Sequence, residues 1–161
     1  MFLTPTWQGE CLSEFSPELL YNEGIRGVMF DLDNTLIIPK NNHVPDTVQQ
    51  WLIEAQAKEI KLCIVTNNTF SKHRKRAEEN LKIPVFGPAG KPRRKYLLEA
   101  MGFLGLEPEQ ILMVGDRPLT DILGGHRVGV RTLLLKPLSR HIDPPHVHIL
   151  RFLESLVVKA Q

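Results

Sequence analysis

The chain has 161 residues, 42% hydrophobic and 24% charged, with a formal net charge of +2. That is enough chain to bury a core without disulfides or a structural metal, and the composition is that of a soluble globular protein. No run approaches the about 18 consecutive apolar residues of a membrane-spanning helix, and "MFLTPTWQGE" has no basic stretch leading into an apolar one, so the expectation is a cytoplasmic protein with no signal peptide.

Apolar runs alternate with helical patterns along the chain. The first strand is expected at 26–33, "RGVMFDLD". A helix follows at 45–59, with Val48, Trp51, Leu52 and Ala55 on one face. "KLCIVTN" (61–67) reads as a strand, and 71–82 as a helix with Ser71 at its N-cap. "PVFG" (84–87) is a short strand, and 92–105 a helix with Pro92 in its first turn. "QILMVGD" (110–116) is a strand, a helix begins in 119–129, and "VRTLLL" (130–135) is the last strand. The organisation expected is a single domain over 1–161, with an N-terminal extension (1–25), a core (26–136) and a C-terminal segment (137–161).

The strands are continuous apolar runs, so both their faces are covered. The fold class is therefore α/β: a three-layer, doubly wound, mostly parallel sheet between helices. Ligands of such sheets bind beyond the carboxyl ends of the strands. Asp31 and Asp33, Thr66 and Asn67, and Gly115 and Asp116 all stand at such ends. The two cysteines fit a reducing compartment, Cys63 as a buried hydrophobe and Cys11 in the N-terminal segment.

Charge is uneven. Between Lys72 and Lys95 nine Lys/Arg face two acids, Glu78 and Glu79, so that window carries +7 and the rest of the chain −5. Such a window is either a solvated helix face or a surface that meets anionic partners.

Four motifs carry the chemistry: "DLDNT" (31–35), "VTNN" (65–68), "GKP" (90–92) and "GDRPLTD" (115–121). In that order they resemble the four motifs of the haloacid dehalogenase (HAD) superfamily. The resemblance implies a phosphatase in which Asp31 attacks phosphorus and Asp33 is the general acid, then the base. It implies Mg²⁺ on Asp31, Asp116 and the backbone carbonyl of Asp33, with oxygen ligands suited to that ion. Thr66 and the backbone N–H of Asn67 are expected to hold phosphate oxygens. Lys91 is expected to neutralise the phosphate and restrain Asp31, and Asp121 to orient Lys91 or the metal's waters. An acid at Asp33 separates ester hydrolysis from the dehalogenase and transport-ATPase branches, which lack it.

Other residues read as ordinary. His146 and His148 are expected at the surface, His43 in a loop, and Gly124–Gly125 at a close helix contact or bend. Arg117 is divided between touching substrate and facing solvent.

Neither insertion point of the superfamily holds a cap: only "LIIPKNNHV" follows Thr35, and 66–91 has room for one helix and one short strand. The chain is similar to the capless, YqeG-like phosphatases, and these in turn to phosphatidylglycerophosphate phosphatases. An open site suits a bulky substrate, so a lipid head group at an anionic membrane is the first expectation. The basic window supports it, as do Phe2, Leu3, Trp7, Leu12, Phe15, Leu19 and Leu20 if they lie at an interface rather than packing on the domain as an extra helix. A soluble sugar phosphate or nucleotide is the alternative substrate, with an oligomer supplying the cap. Nucleic acid is disfavoured as a partner because few aromatics accompany "KHRKR" and "KPRRK".

Overall fold

The computed structural model describes residues 3–139 and 145–158. Six strands form one parallel sheet: β1 (Trp7–Gly9), β2 (Gly27–Phe30), β3 (Lys61–Val65), β4 (Val85–Phe86), β5 (Ile111–Gly115) and β6 (Arg131–Leu135), in the order β1-β6-β5-β2-β3-β4. The helices are α1 (Pro17–Asn22), α2 (Asp46–Ala57), α3 (Ser71–Leu81), α4 (Lys95–Leu104), α5 (Leu123–Val128) and α6 (Pro145–Ser155).

The pleat divides each central strand between two cores, because successive side chains point to opposite faces. Val28 and Phe30, Leu62 and Ile64, and Leu112 and Val114 join Val48, Trp51, Leu52 and Ala55 of α2 on one face. Met29, Cys63, Val65, Ile111 and Met113 meet Leu97, Ala100 and Leu104 of α4 on the other. All four apolar positions expected on α2 are buried, and side chains the size of Val48 and Leu52 contribute ~1.5–3 kcal/mol each. Both cysteines are free; Cys63 is buried, and burial pushes its thiol up to about 12. That keeps it protonated and unreactive in the folded chain.

Several expectations shift. The N-terminal segment supplies an extra strand as well as a helix. Trp7 of β1 is in register with Leu133 of β6, and Leu12 and Leu20 are buried. The Trp51 indole N–H donates to the Phe15 carbonyl at 2.7 Å and closes the segment onto α2. Leu3, Leu12 and Leu20 are therefore core residues, Trp7 and Phe15 pack partly buried against the core, Leu19 is exposed, and Phe2 lies outside the described residues. Ser71 is the first helical residue rather than the cap, and Phe70 holds the cap position. The turn before it is closed by the Asn68 side chain, which accepts from the Phe70 N–H at 2.9 Å. Pro92 lies outside α4, which starts at Lys95; residues 90–93 form a turn in which the Arg93 N–H donates to the Gly90 carbonyl. At the close contact expected of Gly125, a Cβ would come 2.5 Å from the Thr132 side chain.

The strand order reverses at β2, with β3 on one side and β5 on the other. The crevice at that switch point is where an open α/β sheet binds its ligand.

Candidate active site

β2 ends at Phe30, three residues short of the strand end expected at Asp33. The Asp31 N–H still donates to the Val114 carbonyl at 2.8 Å, so Asp31 stands directly beyond the ladder, beside the end of β5. Asp33 lies in the tight turn that follows, in which Asn34 takes a positive φ of 66° and its side chain accepts from the Ser139 N–H. Asn is one of the few residues that adopts this conformation readily.

The two acids point apart. Asp31 accepts from the Lys91 ammonium at 2.7 Å, and the same Nζ donates to Asp121 at 2.7 Å. Asp33 faces the start of α3, where its Oδ1 meets His73 Nε2 and its Oδ2 accepts from Asn68 Nδ2, both at 2.9 Å. When Asp33 is a carboxylate it only accepts, and His73 then presents Nε2–H to it.

Lys91 is placed by its backbone. Asn67 Oδ1 accepts from its N–H at 2.7 Å and Asn67 Nδ2 donates to its carbonyl at 3.1 Å. The Asn67 side chain thus clamps the loop that carries the lysine. Thr66 is buried at the end of β3 and its Oγ1 accepts from the Asn68 N–H.

Asp116 follows β5, and Asp121 sits in a π-helical turn, Pro118–Ile122. Asp121 packs so closely on the strand end that a Cβ on Gly115 would lie 2.2 Å from its carboxylate; only glycine fits there. Its other oxygen accepts from the Arg117 N–H at 3.1 Å.

One carboxylate oxygen each from Asp31, Asp116 and Asp121 lies within 4.8 Å of the others. Burial, then repulsion from Asp121 and Asp116, pushes the Asp31 carboxyl up to about 8 against the pull of Lys91. Burial and Asp121 push Asp116 up to about 6 against Arg151. Burial alone would lower the Lys91 ammonium, but Asp121 and Asp31 outweigh it and hold it above its ordinary value. Three carboxylates thus face two contacting cations, Lys91 and Arg151, so ionising all three leaves a negative excess. Hard oxygen donors in that condition fit a small dication.

The C-terminal helix completes the site, and the sequence offered no motif for it. Arg151 donates to Asp116 at 2.6 Å. Glu154, buried, pairs with Arg117 at 3.0 Å, and the Arg117 side chain stays 36% exposed. A cleft of about 470 Å³ beside α6 reaches Asp116 and Arg151. The sequence pattern does not mark His73, Asn68, Arg151 or Glu154 as site residues; His73 lies inside "KHRKR", where only a charge run is visible. His43, His146 and His148 are exposed, as expected.

Residues 28–90 match the haloacid dehalogenase-like hydrolases and residues 88–137 the HAD-hydrolase-like family. The chain is 35% identical to "Probable phosphatase YqeG" of Bacillus subtilis over 77% of its own length and 72% of that protein. It belongs to the YqeG-like HAD phosphatases. The HAD phosphatase is also 31% identical to the chloroplastic/mitochondrial phosphatidylglycerophosphate phosphatase 1 of Arabidopsis thaliana, over 88% of this chain but only 43% of that one. Among solved structures it superposes on a thermostable NPPase of Geobacillus stearothermophilus with a TM-score of 0.59, at 16% identity, over 76% of this chain and 93% of that one. At that identity the likeness is one of fold. No described helix of the HAD phosphatase is long and apolar enough to cross a membrane.

Proposed function

We propose that this HAD phosphatase hydrolyses phosphatidylglycerophosphate, with Mg²⁺, through an aspartyl-phosphate on Asp31. The observation that carries the chemistry is the divergence of two neighbouring acids, Asp31 toward Lys91 and Asp33 toward α3. An Asp31 oxygen attacks phosphorus in line, and the bond from phosphorus to the leaving alcohol oxygen breaks. Asp33 gives that oxygen its proton. Asp33, now a carboxylate, takes a proton from water; the water oxygen attacks phosphorus and the Asp31–phosphorus bond breaks, releasing inorganic phosphate. Thr66 Oγ1–H and the Asn67 backbone N–H donate to the phosphate oxygens, and Lys91 keeps Asp31 oriented. Asp31, Asp116 and the Asp33 backbone carbonyl would hold Mg²⁺, which supplies positive charge against the phosphate's own. Asp121 positions Lys91.

The lipid substrate is supported by the Arabidopsis relative's activity and by the cations around the site. Lys72, Lys75, Arg76, Arg93, Arg94 and Lys95 are exposed. Phosphate release, with Mg²⁺, from phosphatidylglycerophosphate in mixed micelles is expected to exceed that from glycerol phosphate, sugar phosphates and nucleotides at least about tenfold in kcat/KM, and EDTA is expected to abolish it. Preference for a soluble ester would transfer the reading to that substrate.

His73 is a positioning residue here, since it acts through Asp33. His73→Ala is expected to lower kcat about tenfold with KM unchanged, because a misaimed acid loses transition-state contact only. His73→Gln, whose Nε2 can reach the same oxygen, should recover most of it. Equal losses in both variants would leave His73 a structural role alone.

A further inference from the structure

α6 is amphipathic the wrong way round for a helix docked on a soluble domain. Its charged side chains point inward: Arg151 to Asp116 and Glu154, 1% exposed, to Arg117. Its large apolar side chains point outward. Ile149 is 62% exposed, Phe152 63% and Leu153 53%, and Leu156 just after the helix is 58% exposed. At about 100° per residue these four share one face. A contiguous exposed apolar face of this kind marks a surface that meets something apolar.

The surroundings choose the partner. α6 is pinned beside the reaction centre through Asp116, one of the three clustered carboxylates. Across that centre, Lys72 stands next to His73, which touches Asp33, and Arg93 and Arg94 follow Lys91; all three cations are exposed. Two copies joined through this face would bring their cationic rims together, whereas an anionic bilayer attracts the rim and takes up the apolar side chains.

We propose that the outward face of α6 is a docking surface for an anionic phospholipid bilayer, which seats the open site on the membrane. The inference deepens the lipid-substrate reading and rests on it for its purpose. It also moves the interfacial contact from the N-terminal segment, whose Leu3, Leu12 and Leu20 are buried, to the C-terminal helix.

The test is co-sedimentation of the full chain with vesicles of phosphatidylcholine alone or with about 30% phosphatidylglycerol. The unmodified protein should bind the anionic vesicles at least about tenfold better than the neutral ones. A triple variant, Ile149→Ser, Leu153→Ser and Leu156→Ser, should lose at least about tenfold of that binding. Its turnover of p-nitrophenyl phosphate and its thermal melt should match the unmodified protein. Binding by the triple variant equal to that of the unmodified protein would overturn the proposal, and so would no binding by either, or equal binding to neutral vesicles. So would a dimer that the variant dissolves while vesicle binding persists, which would make the face a contact between copies. The substrate reading fails separately: docking through α6 with no hydrolysis of phosphatidylglycerophosphate in micelles removes the substrate and leaves the surface. Hydrolysis there with α6-independent binding does the reverse.

Discussion

Asp31→Asn is expected to lower kcat on any phosphomonoester by on the order of 10⁴-fold or more, since an amide cannot form the phosphoenzyme. The fold should survive the change. Asp31 sits in a site where burial and two neighbouring carboxylates disfavour its charge, so a neutral amide relieves repulsion, and the Lys91 ammonium retains Asp121. In metal-free protein near neutral pH the melting temperature should therefore stay level or rise. The sign follows from linkage: a carboxyl raised to about 8 in the folded chain binds its proton there and not in the unfolded chain. Its charge thus weakens the fold as pH rises from about 4 to about 8. Asp33→Asn gives the matching contrast. It should also cripple turnover, but rapid acid quench should trap phosphate on the protein, because the step it damages most is attack by water. Hydrolysis at the normal rate in Asp31→Asn would remove Asp31 as nucleophile; hydrolysis at the normal rate in Asp33→Asn would remove Asp33 as acid and base.

Lys91→Met should produce the largest loss of stability, about 3–5 kcal/mol by urea denaturation, because it leaves buried carboxylates without their cation. The lysine and Asp121 side chains are each 1% exposed and Asp31 14%, so water cannot take over the pairing. The deficit has a defined pH course. Without the ammonium, Asp31 and Asp116 hold their protons to higher pH in the folded chain, so the deficit should be smallest near pH 5 and grow as pH rises through about 6 and about 8. Adding Asp121→Asn to Lys91→Met should restore part of the stability while activity stays lost. A Lys91→Met chain as stable as the original would mean that the triad is held by other groups.

The HAD phosphatase was legible in sequence to the extent that its chemistry is local. Apolar runs specify strands covered on both faces, and the acids that interrupt those runs must stand at the strand ends. Asp31, Thr66 and Asp116 therefore reach one edge of the sheet by chain order and pleat alone. Lys91 and Asp121 were readable only through the resemblance of "GKP" and "GDRPLTD" to the HAD motifs. The boundaries that slipped did so where a side chain replaced a regular hydrogen bond. Asn68 closes the turn before α3, and Asn67 clamps the loop before α4; neither contact has a periodic signature.

Sequence by itself thus determined the parallel sheet and the acids gathered at its edge, because those follow from hydrophobic period and from where it stops. Only the tertiary structure decided what faces those acids. His73 reaches Asp33 across 40 residues and Arg151 reaches Asp116 across 35, each through elements whose placement depends on the packed sheet. The orientation of α6 was decided in the same way. A helical wheel shows that it has an apolar and a charged face, but buried Asp116 accepts from Arg151 and Arg117 donates to Glu154, which takes the charged face inward and leaves the apolar one in solvent.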